Sequence, residues 1–248
     1  IEVQILGDGT RAVHLFVREC SLQRRRQKVW EEAPAVALPD DVRAALCAAA
    51  VRLAEGVSYR GAGTLEYLYD MDRKSFYFIE MNTRIQVEHP ITEMITGVDI
   101  LREMLLIMGG AKLSLAQEEI TAQGHAIEVR INAEDPDRSF FPAPGVLEKL
   151  TVPGGPGVRF DTGVSEGDTI PPYYDSLLGK LIVWDRTRDR ALARLAGALG
   201  ELEIGPNPTT ASLHAALLAA PDVISGTLST LWLEDWLAIR AGDARKSA

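Results

Sequence analysis

The chain has 248 residues, 46% hydrophobic and 25% charged, the balance of a folded globular protein and not of a disordered or fibrous one. Its formal net charge of −9 opposes wholesale attraction to nucleic acid or an anionic membrane, and no apolar run approaches the ~20 residues of a bilayer span, so neither is an expected partner. Two cysteines, Cys20 and Cys47, fit neither a disulfide framework nor a zinc site and read as reduced thiols, and no signal-peptide pattern opens the chain; the expected location is cytoplasmic.

Residues 1–6 alternate apolar and polar from the first position with no initiator Met, which reads as a cut through a longer protein. Gly7-Asp8-Gly9-Thr10 supplies a turn and Ala12 to Val17 alternate again, so the opening is expected to be a β-hairpin, followed by an irregular basic stretch. Pro39-Asp40 starts a helix whose apolar residues Val42, Ala45, Leu46, Ala49 and Leu53 recur at helical spacing until Gly56. Two aromatic-rich runs, 62–69 and 75–81, flank Asp70 to Lys74 and predict a second hairpin; helices follow at about 91–96 and 98–109. From about residue 122 short strands between Pro and Gly take over (124–132, 145–151, 157–161, 178–184), then helices at 187–202 and 208–219. Hairpin-paired strands with helices set apart predict an α+β fold in two units, 1–110 and 122–237.

Chemistry concentrates in one segment. Read as extended chain, Phe76 to Glu88 carries Glu80, Asn82, Arg84, Gln86 and Glu88 on one side and Ile79, Met81, Thr83, Ile85 and Val87 on the other. A hairpin centred on Asp72 puts Glu66 opposite Phe78 and makes it a diagonal neighbour of Glu80, roughly 5–8 Å away. Two carboxylates and an amide so placed form an oxygen-only ligand set that suits Mg²⁺. The bland reading is a solvated strand face. Such faces usually carry Lys, Thr and Ser, whereas this one concentrates metal ligands, an anion clamp and a potential base.

Arg18, Arg24, Arg25, Arg26 and Lys28 form a basic cluster ahead of Glu31 and Glu32, readable as a salt-bridged surface loop or as positive charge delivered to phosphate or bicarbonate. Arg130 alternates with apolar neighbours before the acidic turn Glu134-Asp135-Pro136; a structural ion pair is its ordinary reading. His14, His89, His125 and His214 lack the spacing of a helical metal pair and receive no catalytic role, and Pro153 to Gly157 reads as a plain turn.

Arg24-Arg25-Arg26-Gln27-Lys28-Val29, Gly61-Ala62-Gly63-Thr64, the run Phe78 to Pro90, Arg130 to Pro136 and Pro171 to Ser176 together resemble biotin carboxylase, and the resemblance runs from residue 1 to about 237. It implies the C-terminal half of an ATP-grasp fold, an antiparallel sheet with flanking helices, followed by the β-rich biotin carboxylase C-terminal subdomain. The implied enzyme uses ATP, Mg²⁺ (or Mn²⁺) and bicarbonate to carboxylate biotin on a carrier protein or domain, works with a carboxyltransferase subunit, and forms a homodimer.

Residue by residue, the resemblance implies Glu66, Glu80 and Asn82 at the metal and triphosphate. Lys28, Arg84, Gln86 and the Val87 backbone match bicarbonate contacts, Glu88 matches the base that deprotonates bicarbonate, and Arg130 matches the cation that steadies the biotin enolate. Gln23 and Leu68 match nucleotide contacts, and Arg26 stands where the family has a nucleotide-contacting histidine, so it adds a permanent charge there and offers no neutral acceptor. The family's amino-terminal domain, glycine-rich lid and adenine hinge are expected to precede residue 1. Two other readings are another ATP-grasp ligase, of carbamoyl phosphate or carboxylate–amine type, and a non-catalytic oligomerisation module.

Overall fold

A computed structural model describes residues 1–226 and 228–246. The chain opens with β1 (Glu2–Asp8) and β2 (Ala12–Arg24), whose turn is tied by the Asp8 carboxylate. Asp8 accepts from the Thr10 hydroxyl at 2.6 Å, the Thr10 and Arg11 amides at 2.9 Å and the Leu113 amide at 3.0 Å, bonds that hold its carboxyl well below the ordinary carboxylate range. The expected irregular basic stretch is instead regular: β2 continues to Arg24, Arg25 and Arg26 make a two-residue turn, and β3 (Gln27–Ala33) follows. Arg25 (φ 49°) and Arg26 (φ 65°) supply the paired left-handed residues of a primed hairpin turn, where Asn-Gly is favoured, so turn chemistry gave no warning of it.

Then come α1 (Asp40–Gly56), β4 (Arg60–Asp70), β5 (Ser75–Asn82), α2 (His89–Thr96), α3 (Ile100–Met108) and β6 (His125–Asn132). Short strands β7 (Glu134–Asp135), β8 (Phe141–Pro142), β9 (Gly145–Val146) and β10 (Lys149–Thr151) precede β11 (Val158–Thr162), β12 (Thr169–Ile170), β13 (Leu177–Asp185), α4 (Arg188–Glu201) and β14 (Glu203–Gly205). The strand expected at 145–151 is split in two, and α5 (Ala211–Leu217) is followed by α6 (Pro221–Ser225) and α7 (Trp232–Lys246), two helices that the sequence reading missed.

Two units emerge: Ile1–Cys20 with Glu31–Ala126, and Ser21–Trp30 with residues from Ile127 onward. In the first, strands follow the order β2-β1-β4-β5, all antiparallel pairs. β1 is buried at every residue, with helices on both of its faces. Val3, Ile5, Leu65 and Tyr67 pack with Leu46, Cys47 and Ala50 of α1. Leu6, Val13, Leu15 and Ala62 pack with Ile100 and Ile107 of α3. Burial pushes the Cys47 thiol up to about 12, so it stays protonated as part of this core. Left-handed Gly97 (φ 70°) stops α2, and the Asp99 carboxylate starts α3 by accepting from the Arg102 amide.

The second unit builds on strand order β11-β13-β6-β3, with α4 packed on β13. Its core gathers Leu22, Trp30, Ile127, Val129, Ile131, Leu181, Val183, Leu195 and Leu217. Among the described residues no helix is long and apolar enough to cross a membrane.

Candidate active site

Two β-bulges in the first unit decide which side chains meet. In β4/β5 the pairing runs Tyr67↔Phe78 and then Glu66↔Glu80, so Ile79 is an extra residue on β5. Glu66 therefore lies directly opposite Glu80: a turn centred on Asp72 would have put it opposite Phe78, the observed hairpin without its bulge would put it opposite Ile79, and Thr64 lies opposite Asn82. Without the extra residue, Glu80 and Asn82 would share the face of Phe76 and Phe78, which turns toward α1. In β1/β2 the register shifts between Val3↔Val17 and Ile5↔His14, with Phe16 left-handed at φ 64°. That shift sets Arg18 opposite Glu2, on the face that Glu2 shares with Gln4, Thr64 and Glu66.

The extended reading of Phe76 to Glu88 is corrected by the structure. β5 ends at Asn82, the chain bends at Arg84 and turns through Val87 and Glu88, and α2 begins at His89 with Pro90 in its first turn. Proline fits a helix's first turn, where its missing N–H has no intrahelical role, and that local preference overrides the polar alternation. Asn82 and Gln86 still converge: Asn82 Nδ2 donates to Glu66 Oε1 at 3.0 Å and stands 3.4 Å from Glu80 Oε1, while Gln86 Nε2 donates to Glu66 Oε1 at 3.0 Å. Arg84 is exposed, its guanidinium hydrogen-bonded to the Ile85 carbonyl at 3.1 Å. Glu88 is buried beneath this group.

Arg18 holds that underside together, though its sequence neighbours had placed it in a basic surface cluster. Its guanidinium is fully buried and donates to Glu2 (3.1 Å), Gln4 (2.7 Å), Thr92 (3.0 Å), Thr64 (3.1 Å) and Gln86 Oε1 (2.8 Å). Burial would depress this guanidinium, but Glu2, Glu88 and Cys20 outweigh it and the net direction is upward. Ligand atoms of Glu2, Cys20 and Glu88 lie within 4.8 Å of one another, and the Arg18–Glu2 ion pair at 3.0 Å already brings positive charge to that trio. The signal for Arg18 was present in the first hairpin, had the bulge been foreseeable. Glu31 and Glu32, for which a salt-bridged surface loop is one of two readings of the sequence, are buried strand residues, and Glu32 meets His125 at 2.7 Å.

Glu66 is half-buried, Glu80 exposed and Leu68 exposed on the same hairpin. The Glu66, Glu80 and Asn82 set fits a hard divalent cation: two carboxylates stand on directly opposed residues, and Asn82, which turns Nδ2 to both, would offer Oδ1 as a third oxygen ligand on rotating its amide.

In the second unit, Gln23 and Lys28 are half-buried on either side of the exposed Arg25-Arg26 turn, whose Arg25 amide donates to Glu234 at 2.8 Å. Arg130 is half-buried near the end of β6. Its carbonyl accepts from the Thr210 hydroxyl and from His214 Nε2, both at 2.8 Å, an arrangement with no local sequence signal because the partners are 80 or more residues away.

Residues 1–116 match the family described as carbamoyl-phosphate synthase L chain, ATP binding domain, and residues 128–235 match the biotin carboxylase C-terminal domain. A biotin carboxylase of Nostoc sp. is 51% identical over 236 residues, 95% of this chain and 53% of the relative; biotin carboxylase 1 of Bacillus subtilis is 46% identical over 237 residues with the same coverages. The chain is homologous to biotin carboxylases over nearly its whole length. It spans about half the length of the curated relatives it matches. Among solved structures, the biotin carboxylase domain dimer of Hydrogenobacter thermophilus 2-oxoglutarate carboxylase, in complex with MgADP, ADP and bicarbonate, superposes with a TM-score of 0.91 at 45% identity, covering 94% of this chain and 52% of that one. The biotin carboxylase–β,γ-ATP complex from Campylobacter jejuni gives 0.90 at 42% identity with the same coverages. The expected α+β fold, the C-terminal half of an ATP-grasp fold followed by the biotin carboxylase C-terminal region, agrees with both.

Proposed function

We propose that these residues serve a complete biotin carboxylase, an ATP-dependent ligase that carboxylates biotin with bicarbonate through carboxyphosphate. Within it, 1–110 would be the C-terminal part of the ATP-grasp domain and 122–237 the biotin carboxylase C-terminal domain, a division supported by the family matches to 1–116 and 128–235. The observation that carries the reading is the Glu66↔Glu80 pair with Asn82 and Gln86 bonded to the same Glu66 oxygen, an anionic patch braced by amides.

In this reading Glu66, Glu80 and Asn82 hold Mg²⁺ or Mn²⁺, which when bound shields the triphosphate charge. Arg84, with its guanidinium exposed, and Gln86, with its amide fixed at both ends, receive bicarbonate, together with Lys28 and the Val87 backbone. Glu88 takes the bicarbonate proton; the oxygen so exposed attacks the γ-phosphorus, ADP leaves, and carboxyphosphate forms. Carboxyphosphate splits into carbon dioxide and phosphate, phosphate accepts the biotin ureido proton, and Arg130 offsets the charge that develops on the ureido oxygen. Gln23, Arg26 and Leu68 contact the nucleotide. A biotin carrier, a carboxyltransferase and a second copy of the complete enzyme are the proposed partners, and the two buried free thiols suit the cytoplasm.

The test is ATP hydrolysis by the complete enzyme in bicarbonate, with and without biotin. Stimulation by biotin is expected; hydrolysis indifferent to biotin would overturn the proposal. Glu88→Gln should abolish carboxylation and leave MgATP binding nearly intact, and lost nucleotide binding would reassign Glu88.

A further inference from the structure

The carbonyl of Arg130 is held by two side chains that enter from α5. The Thr210 hydroxyl donates to it at 2.8 Å and itself accepts from the Asn132 amide at 2.9 Å; the Thr210 amide returns a bond to the Asn132 carbonyl at 3.0 Å. His214, one helical turn on, brings Nε2 to the same Arg130 carbonyl at 2.8 Å. Thr210 is 3% exposed and His214 not at all. On the other flank, the Asn132 side chain donates to the Ser176 hydroxyl at 2.9 Å, and Ser176 donates to Glu134.

A carbonyl can only accept, so the bond requires the proton on Nε2. Burial depresses the His214 imidazole to about 4, which keeps it neutral and leaves a single proton, committed to Arg130. Nδ1 then carries a lone pair and is buried without a hydrogen-bond partner among the described residues. Leaving a buried acceptor unpaired is unfavourable, so the site accepts a penalty on one nitrogen to keep a donor on the other. The Trp30 ring packs beside the imidazole, 6.3 Å away between centroids.

Arginine reaches its target through four side-chain torsions, so any shift of its backbone root is carried outward to the guanidinium. We propose that His214 and Thr210 are positioning residues for Arg130: they fix the root of that side chain, and through it the carboxyl-transfer step, without touching substrate. The inference rests on the role given to Arg130 above. Misplacement of a reacting-site group by ~1 Å can lower a rate roughly a hundredfold, so loosening the root has room to matter.

The experiment uses the complete enzyme and compares two rates: biotin-dependent carboxylation, and bicarbonate-dependent ATP hydrolysis without biotin, which does not call on Arg130. His214→Leu keeps bulk and removes the donor; Thr210→Val keeps shape and removes the hydroxyl; His214→Gln restores an N–H donor at comparable reach. H214L and T210V are expected to lower the carboxylation kcat tenfold or more, with KM for MgATP and the biotin-free hydrolysis within twofold of wild type, and H214Q is expected to recover most of the loss. Parallel loss of both rates, or equal behaviour of H214Q and H214L, would overturn the proposal. Should H214L fail to fold, T210V decides, since its volume matches the original. Arg130→Met separates the two layers. If R130M loses biotin coupling while T210V and H214L keep it, the clamp alone fails; if R130M keeps coupling, the Arg130 role fails and the clamp with it.

Discussion

Gln86 bonds Glu66 with one end of its amide and Arg18 with the other: Nε2 donates to Glu66 at 3.0 Å and Oε1 accepts from the guanidinium at 2.8 Å. An amide has one acceptor end and one donor end, so a buried cation below and a carboxylate above orient it unambiguously. Gln86 thereby ties the partly exposed carboxylate patch to a buried ionic floor.

Removing that floor should be severe. Arg18→Met would take the guanidinium away from Glu2, Gln4 and the Gln86 oxygen, and breaking a buried pair this way costs about 3–5 kcal/mol. A urea denaturation midpoint for the complete enzyme measures it. A loss under about 1 kcal/mol would mean that the cluster relaxes or hydrates.

Substituting Glu80 should separate stability from binding. Glu80 is exposed and faces Glu66, so Glu80→Gln relieves like-charge repulsion and should leave apo stability within about 0.5 kcal/mol of wild type. Mn²⁺ affinity in the presence of nucleotide, read by titration calorimetry, should fall tenfold or more. Unchanged affinity would remove Glu80 from the metal shell.

His214 gives acid sensitivity with a definite sign. Its imidazole titrates near 6.5 when unfolded and at about 4 when folded, so the unfolded chain binds the extra proton between those values. Its contribution is complete above pH 6.5 and is lost as pH falls toward 4, on the order of 3 kcal/mol in all. The pH dependence of stability should be shallower in H214Q over that window; identical slopes would show that the group does not titrate there.

Arg26 occupies a left-handed position at φ 65° that glycine adopts without strain. Arg26→Gly should therefore raise stability by about 1 kcal/mol, net of the freedom that glycine gains when unfolded. A thermal midpoint that falls instead would mean that the side chain makes stabilising contacts outweighing the strain.

The two hairpins, α1 and the polar richness of residues 80–88 were legible because each is a local pattern: alternation, a capped helical period, a turn between aromatic runs. The basic stretch was misread because Arg25-Arg26 lacks the glycine or asparagine that usually marks its turn. α6 and α7 escaped notice for a different reason. α6 has only five residues, and the exposed Leu231 and Ile239 around α7 blur its apolar stripe.

By itself the sequence determined residue chemistry: which carboxylates, amides and guanidinia the protein has to work with. Only the tertiary structure decided their company. The bulges at Phe16 and Ile79 each insert one residue into a ladder of period two, and one residue is enough to turn Arg18 toward Glu2, and Glu80 toward Glu66, instead of to the opposite face. Nor could any local pattern have joined Arg130 to His214, since a hydrogen bond across 84 residues exists only when packing brings its two ends together.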